Sequence, residues 1–158
     1  MIKHHAHPTL VVVTGPTAVG KTCAAIALAR YLGTEIISSD SRQVYKELTI
    51  GTAVPSEEEL ELVKHHFIHS HSLFDPLNAS RFETEALDLI DDLFRKYSVL
   101  IMVGGSMLYT DAVCKGIDVM PDVDPEIRNM LNEKFRSEGI EMIRRQLKIL
   151  DPEYYAIA

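Results

Sequence analysis

Residues 15–22 read Gly-Pro-Thr-Ala-Val-Gly-Lys-Thr, and this octapeptide with its flanks limits the fold more than any other feature of the chain. It fits G-x-x-x-x-G-K-[ST] at every fixed position. Before it stands Leu10-Val11-Val12-Val13, a mostly β-branched run suited to a strand buried on both faces. After it stands Cys23-Ala24-Ala25-Ile26-Ala27-Leu28-Ala29-Arg30, rich in helix formers. A strand, a glycine loop and a helix in that order aim the backbone N–H groups of the loop and first helical turn at one point, where phosphate oxygens can be held. Lys21 adds a positive charge there, and Thr22 adds a hydroxyl for a phosphate oxygen or Mg²⁺. Gly15, Pro16, Thr17, Ala18, Val19, Gly20, Lys21 and Thr22 are therefore the candidate phosphate-binding residues, with Thr22 the candidate metal ligand.

Strand and helix signals alternate through the following hundred residues. The first strand covers Thr9–Thr14 and the first helix Lys21–Leu32, with Gly33 as its C′ residue. A second strand, 34–38, ends at Ser39-Asp40-Ser41-Arg42. An acidic helix is expected over Glu57–Lys64 and a short third strand over His66–His69. The clearest helix runs from Asn78 to Lys96: Ser80-Arg81-Phe82-Glu83 has capping-box spacing, and Phe82, Ala86, Ile90 and Leu93 share one face. A buried strand, 98–103, then breaks at Gly104-Gly105, and Ser106 is placed to cap a helix reaching Cys114. The alternation predicts an α/β fold with a parallel sheet flanked by helices over residues 1–116.

After Gly116 the texture changes. Asp118–Pro125 is a connector with two prolines, Asp124 is a good N-cap, and Pro125 stands at the first helical position. Ile127, Met130, Leu131 and Phe135 form one apolar stripe, and Ile140, Ile143, Leu147 and Leu150 a second. Residues 117–158 are thus expected to be all-helical and separate from the sheet.

Composition removes several functional classes. With 46% hydrophobic residues a core can form, yet no apolar run is long enough to span a bilayer. The polar N-terminus lacks the apolar stretch of a signal peptide, and His4, His5 and His7 read as a frayed leader rather than a metal site. Cys23 and Cys114 form no C-x-x-C pair, which fits a reducing cytoplasm. A net charge of −7 argues against nonspecific coating of nucleic acid, but leaves room for a nucleic-acid substrate met by a local basic surface.

Open α/β sheets bind ligands outside the carboxyl ends of their strands. Three segments fall there: the phosphate loop, Asp40–Gln43 and Gly104–Ser106. Asp40 is the carboxylate that directly follows the second strand; it can take a proton from a nucleophile or cap a helix, and the sequence leaves both open. Gln43 offers a donor and an acceptor to a base edge, or is a surface residue. No Asp ends the 98–103 strand, which weakens a plain ATPase reading. His65, His66, His69 and His71 lie on a strand and loop without metal-site spacing. Arg144, Arg145 and Lys148 meet phosphates only if their helix faces the site.

Taken in order, several segments resemble the tRNA dimethylallyltransferase (tRNA isopentenyltransferase) family. They are Gly15–Thr22, Ser39-Asp40-Ser41-Arg42-Gln43-Val44-Tyr45, Gly51-Thr52-Ala53, Val63-Lys64-His65-His66, Asn78-Ala79-Ser80 with Phe82, Val103-Gly104-Gly105-Ser106-Met107-Leu108-Tyr109 and Val123–Arg128. The phosphate loop is shared with many nucleoside triphosphatases; the D-S-R-Q-V-Y and G-G-S-x-L-Y segments are specific. The resemblance implies a P-loop NTPase-like sheet followed by the start of an inserted helical domain that grips the tRNA anticodon stem-loop. It implies transfer of a dimethylallyl group from dimethylallyl diphosphate to N6 of the adenine 3′ of the anticodon, with Mg²⁺ as cofactor. Asp40 then matches the family's base, Lys21 and Thr22 its catalytic phosphate-holding pair, and Asp40, Ser41, Arg42, Gln43, Ser106 and Arg128 its tRNA-contacting positions. It implies a cytoplasmic protein, monomeric when complete. Family members are longer and return to the core after the helical insertion.

Rival readings share the loop. An adenylate isopentenyltransferase would use free adenine nucleotides and dispense with a tRNA-gripping helical domain. A small-molecule P-loop kinase would consume ATP. A nucleotide-binding module would bind without turnover.

Overall fold

A computed structural model describes residues 7–118 and 123–157. They divide into two compact units between Ile117 and Asp118.

The first unit is built on four parallel strands: β1 (Thr9–Thr14), β2 (Ile36–Ser38), β3 (His65–His66) and β4 (Val99–Gly104). Their order is β1-β4-β2-β3. β4 lies against β1 from Thr9↔Val99 to Thr14↔Gly104, and against β2 from Ile36↔Ile101 to Ser38↔Val103. The chain therefore leaves β1, crosses over β4 through α1 (Lys21–Leu32), and returns as β2 on the far side.

Two-residue periodicity divides the core between the faces of this sheet. Ile36, Ile101 and Val103 pack with Ala25, Ile26 and Ala29 of α1. Ile37, Leu100 and Met102 pack with Phe82, Ala86, Ile90 and Leu93 of α3 (Ala79–Phe94) and Tyr109 of α4 (Met107–Lys115). The four α3 residues are the stripe expected from sequence, and all four are buried. Gly33 ends α1 at φ +64, the left-handed C-cap that glycine adopts without steric cost. Among the described residues no helix is long and apolar enough to cross a membrane.

Three local expectations shift. The acidic helix, α2, spans Glu57–Leu62 and stops short of Lys64, because Val63 is extended and buried on the way into β3. β3 covers His65–His66 rather than 66–69: Phe67 and His69 adopt φ +59 and +47, which ends the strand. His69 and His71 then donate their backbone N–H groups to Gln43 and Val44. The capping box of the long helix does not form at Ser80. Asn78 caps α3 by accepting from the Arg81 N–H at 2.8 Å, since the chain is pinned one residue earlier at Leu77 by the Tyr45 and Tyr109 hydroxyls. A capping box does form at α2, between Ser56 and Glu59.

The second unit holds α5 (Pro125–Glu138), α6 (Ile140–Leu150) and α7 (Pro152–Tyr155). Asp124 caps α5 by accepting from the Glu126 N–H at 2.9 Å. Both apolar stripes are present, but Ile127, Met130, Phe135, Ile140 and Leu150 stay exposed. The connector expected over 118–125 lies partly outside the described residues.

Candidate functional site

The carboxyl ends of β1, β4 and β2 converge on a cavity of about 390 Å³. This is the crevice the topology creates, because the connections from β1 and β4 leave to opposite faces of the sheet. Thr17, Ala18, Gly20, Lys21 and Thr22 of the phosphate loop form one wall. Ser38, Asp40, Arg42 and Gln43 form another, and Gly104, Gly105 and Ser106 the floor between them. Asp40 therefore shares a cavity with Lys21 and Thr22.

The loop owes its shape to backbone conformation. Gly20 precedes α1 at φ +87, and Ala18 is held at φ +66. The Lys21 ammonium folds back onto the Pro16 carbonyl at 2.7 Å, which keeps it over the loop and leaves further N–H donors for a ligand. Gly15, Pro16 and Val19 do not line the cavity; Val19 is 60% exposed at the loop apex.

Of the two roles that the sequence left open, the structure shows Asp40 in the capping one alone, and what it caps is a turn rather than a helix. Its Oδ1 accepts from the backbone N–H groups of Arg42 at 2.9 Å and Gln43 at 3.3 Å, as a capping residue does. Its Oδ2 accepts no hydrogen bond among the described residues. One oxygen thus ties the carboxylate to the turn, in a residue that lines the cavity.

The neighbouring candidates are tied to each other. Gln43 donates through Nε2 to the carbonyls of Thr52 at 3.2 Å and Ala53 at 2.8 Å, and accepts from Ser38 at 3.4 Å. Its amide thereby braces the Gly51–Ala53 segment, a fourth side of the cavity. Ser106 precedes α4 but makes no capping hydrogen bond. Its Oγ accepts from the Ser41 N–H at 2.9 Å and donates to the Ser41 hydroxyl at 3.0 Å. Arg42 projects into solvent at the cavity edge. Arg128 lies in the first turn of α5, exposed, within the second unit.

Three of the four histidines make separate contacts. His66 Nε2 meets Glu35 at 2.6 Å, and His71 Nε2 meets Glu85 at 3.0 Å. His65 lines the cavity, with Nδ1 on the Val63 carbonyl at 2.8 Å and a buried Nε2 that has no partner among the described residues. Burial pushes the His65 imidazole below its ordinary range, so the ring is neutral near pH 7. On α6, Arg144 pairs with Glu141 at 3.1 Å and Lys148 lies over the Tyr155 ring at 5.5 Å, whereas Arg145 is exposed. Ile68 was not a candidate from sequence, and His65 and Gly51–Ala53 were marked as segments of the family resemblance, with no role in the cavity; β3 pairing beside β2 brings in His65, and Gln43 holds Thr52 and Ala53.

Comparison with known proteins gives the family of the chain. The sequence model of the IPP transferase family matches residues 43–158. The chain belongs to the IPP transferase family. The tRNA dimethylallyltransferase 2 of Azobacteroides pseudotrichonymphae is 56% identical over 147 residues, 93% of this chain and 48% of that protein. The tRNA dimethylallyltransferase 1 of Bacteroides fragilis is 49% identical over 94% of this chain and 50% of that protein. The chain thus spans about half the length of the curated relatives it matches. Among solved structures, a tRNA isopentenylpyrophosphate transferase of Bacillus halodurans superposes with a TM-score of 0.68 at 34% identity, over 96% of this chain and 50% of that one. A eukaryotic dimethylallyltransferase acting on tRNA superposes with a TM-score of 0.76 at 29% identity, over 97% of this chain and 38% of that one.

Proposed function

We propose that the first unit holds dimethylallyl diphosphate in the phosphate loop, and that the protein transfers its dimethylallyl group to N6 of the adenine 3′ of the anticodon in tRNA. The observation that carries this reading is that Lys21, Thr22 and Asp40 line one cavity. The diphosphate is the leaving group. As the C1–O bond breaks, negative charge grows on the departing oxygen, where Lys21 and the loop N–H groups stabilise it. The adenine amine attacks C1, and its proton passes to Asp40. To reach this cavity the base must leave its stack. Family membership supports the reading, as does the relatives' description as tRNA dimethylallyltransferases.

Mg²⁺ fits this donor set in a limited way. Thr22 offers one hard oxygen, and no group of three or more His, Cys, Asp or Glu among the described residues could hold a metal. The ion would therefore be held by Thr22, diphosphate oxygens and water, which is the usual arrangement for Mg²⁺ with phosphates. When bound it would neutralise charge on the leaving group.

The substrate assignment is tested by offering labelled dimethylallyl diphosphate with either an anticodon stem-loop or AMP. Label on the stem-loop adenine and released diphosphate are the expected result. Label on AMP instead would make the protein an adenylate isopentenyltransferase, and phosphate transfer from ATP would make it a kinase.

The phosphate cradle is tested separately. Its whole cavity lies within the first unit, so diphosphate binding is expected of the 158 residues alone. Lys21→Ala is expected to weaken diphosphate binding about 10- to 150-fold, the loss of one charge-assisted hydrogen bond. Isothermal titration calorimetry of both chains would measure it, and equal affinities would remove Lys21 from the cradle.

A further inference from the structure

Asp40 is the one carboxylate at the end of β2, yet its own side chain anchors only the turn that follows it. What holds its backbone lies on either side. Ser39, one residue before, is fully buried and extends the sheet by donating its N–H to the Val103 carbonyl at 2.8 Å. Its hydroxyl lies 3.0 Å from that of Thr110, in the first turns of α4, itself only 5% exposed. Ser41, one residue after, is held through its N–H and hydroxyl by Ser106, the residue just before α4.

We propose that Thr110 is a positioning residue for Asp40: α4 mounts the carboxylate at two points, Thr110 through Ser39 and Ser106 through Ser41. The inference rests on the reading of Asp40 as the base.

Three observations favour a mount over ordinary packing. A buried hydroxyl pair is directional, where an apolar pair would fill the same space without fixing the orientation of Ser39. Ser106 spends its hydroxyl on Ser41 and leaves α4 without a side-chain cap, although serine is among the best capping residues. Gly104 is shaped to admit Ser39: a Cβ there would come within 2.3 Å of the Ser39 hydroxyl and 2.5 Å of its carbonyl oxygen. α4 is in turn fixed to the core by Tyr109, whose ring stacks on Phe82 at 4.5 Å. Rigid packing is thereby passed to a carboxylate at the cavity edge, as a preorganised site requires.

The test uses Thr110→Val, which keeps the shape and removes the hydroxyl, with Thr110→Ser as the conservative control. Amide exchange is followed by NMR in the 158-residue chain. The N–H groups of Arg42 and Gln43 report the placement of Asp40, because they donate to its carboxylate. In Thr110→Val they should exchange at least tenfold faster, with Val11–Val13 in β1 unchanged, and Thr110→Ser should restore them. In a full-length version Thr110→Val should lower kcat about tenfold or more, leave KM for dimethylallyl diphosphate unchanged, and again be rescued by Ser. Unchanged exchange at Arg42 and Gln43, or equal acceleration throughout the sheet, would overturn the proposal, as would a normal kcat. If Thr110→Val does not fold, Ser39→Ala removes the same hydrogen bond from the other side, and the same outcomes decide. Asp40→Asn run in parallel separates the two ideas: normal transfer by that variant discards Asp40 as the base, whatever Thr110→Val shows.

Discussion

Asp40→Asn is expected to lower transfer of a labelled dimethylallyl group to an anticodon stem-loop by roughly 10²- to 10⁴-fold, the usual contribution of a positioned base. The structure makes asparagine the right replacement. Oδ1 of Asp40 accepts from the N–H groups of Arg42 and Gln43, and an amide oxygen in the same place can accept both. The turn should hold, while the second oxygen is replaced by an N–H₂ group that cannot take a proton. Diphosphate affinity should stay within twofold of the parent, because the phosphate loop is a separate wall of the cavity. The measurement pairs single-turnover transfer by a full-length version with calorimetric titration of diphosphate. A variant that transfers at the parent rate would take Asp40 out of the chemistry. One that loses diphosphate binding as well would show that Asp40 supports the cradle rather than the acceptor.

The largest expected effect on stability is at Phe82. It is 1% exposed, stacked on Tyr109 at 4.5 Å and meeting Phe67 edge-on at 5.0 Å. It lies where α3, α4 and the segment after β3 meet over the sheet. Phe82→Ala should cost about 3–5 kcal/mol, since transfer and cavity terms add at a fully buried aromatic. That is a large part of the stability of an ordinary domain. Urea unfolding followed by far-ultraviolet circular dichroism would measure it. A loss under about 1 kcal/mol would mean that the site collapses around the gap and that the aromatic group is not the centre of this core. The effect should extend to the cavity, because Tyr109 belongs to the helix that holds Ser39 and Ser41.

How far each element could be read in the residues follows the range of the interactions that form it. β1, the phosphate loop and α1 lie where the octapeptide and its flanks place them, as do the buried face of α3 and strand β4. The kind of element and the face it buries are written in the spacing and type of its own residues, so periodicity and composition suffice to place them. The start of α3 was less legible. Asn78 and Ser80 are both good caps, and the choice fell to Asn78 because distant hydroxyls of Tyr45 and Tyr109 hold Leu77. β3 was misplaced by one residue at its start and ended early, because left-handed residues at 67 and 69 send the chain across to the 43–46 turn.

The site shows the same division. Motif order marked Lys21, Thr22, Asp40 and Gly104-Gly105 as candidates, and all of them line the cavity. Their convergence at the strand ends was expected from the fold class, but the hydrogen bonds of their neighbours were not visible. Gln43 was left open between a base-edge contact and a surface residue, and its amide is engaged with Ser38, Thr52 and Ala53. Ser106 read as a helix cap, yet it holds Ser41. Side-chain amides and hydroxyls are short and unselective in their partners, so the partner is set by whichever backbone the fold delivers within 3 Å or so.

By itself, then, the chain of residues determined the kind of elements, their faces, the phosphate loop and the family. Those rest on local conformational preference and on motifs whose chemistry is carried by adjacent residues. Tertiary structure alone decided the β1-β4-β2-β3 order, the hydrogen-bond partners of Gln43 and Ser106, and the pairing of Ser39 with Thr110 next to Asp40. These contacts join residues as far apart as Thr9 and Val99, and only cooperative burial of the two faces of the sheet brings such residues together.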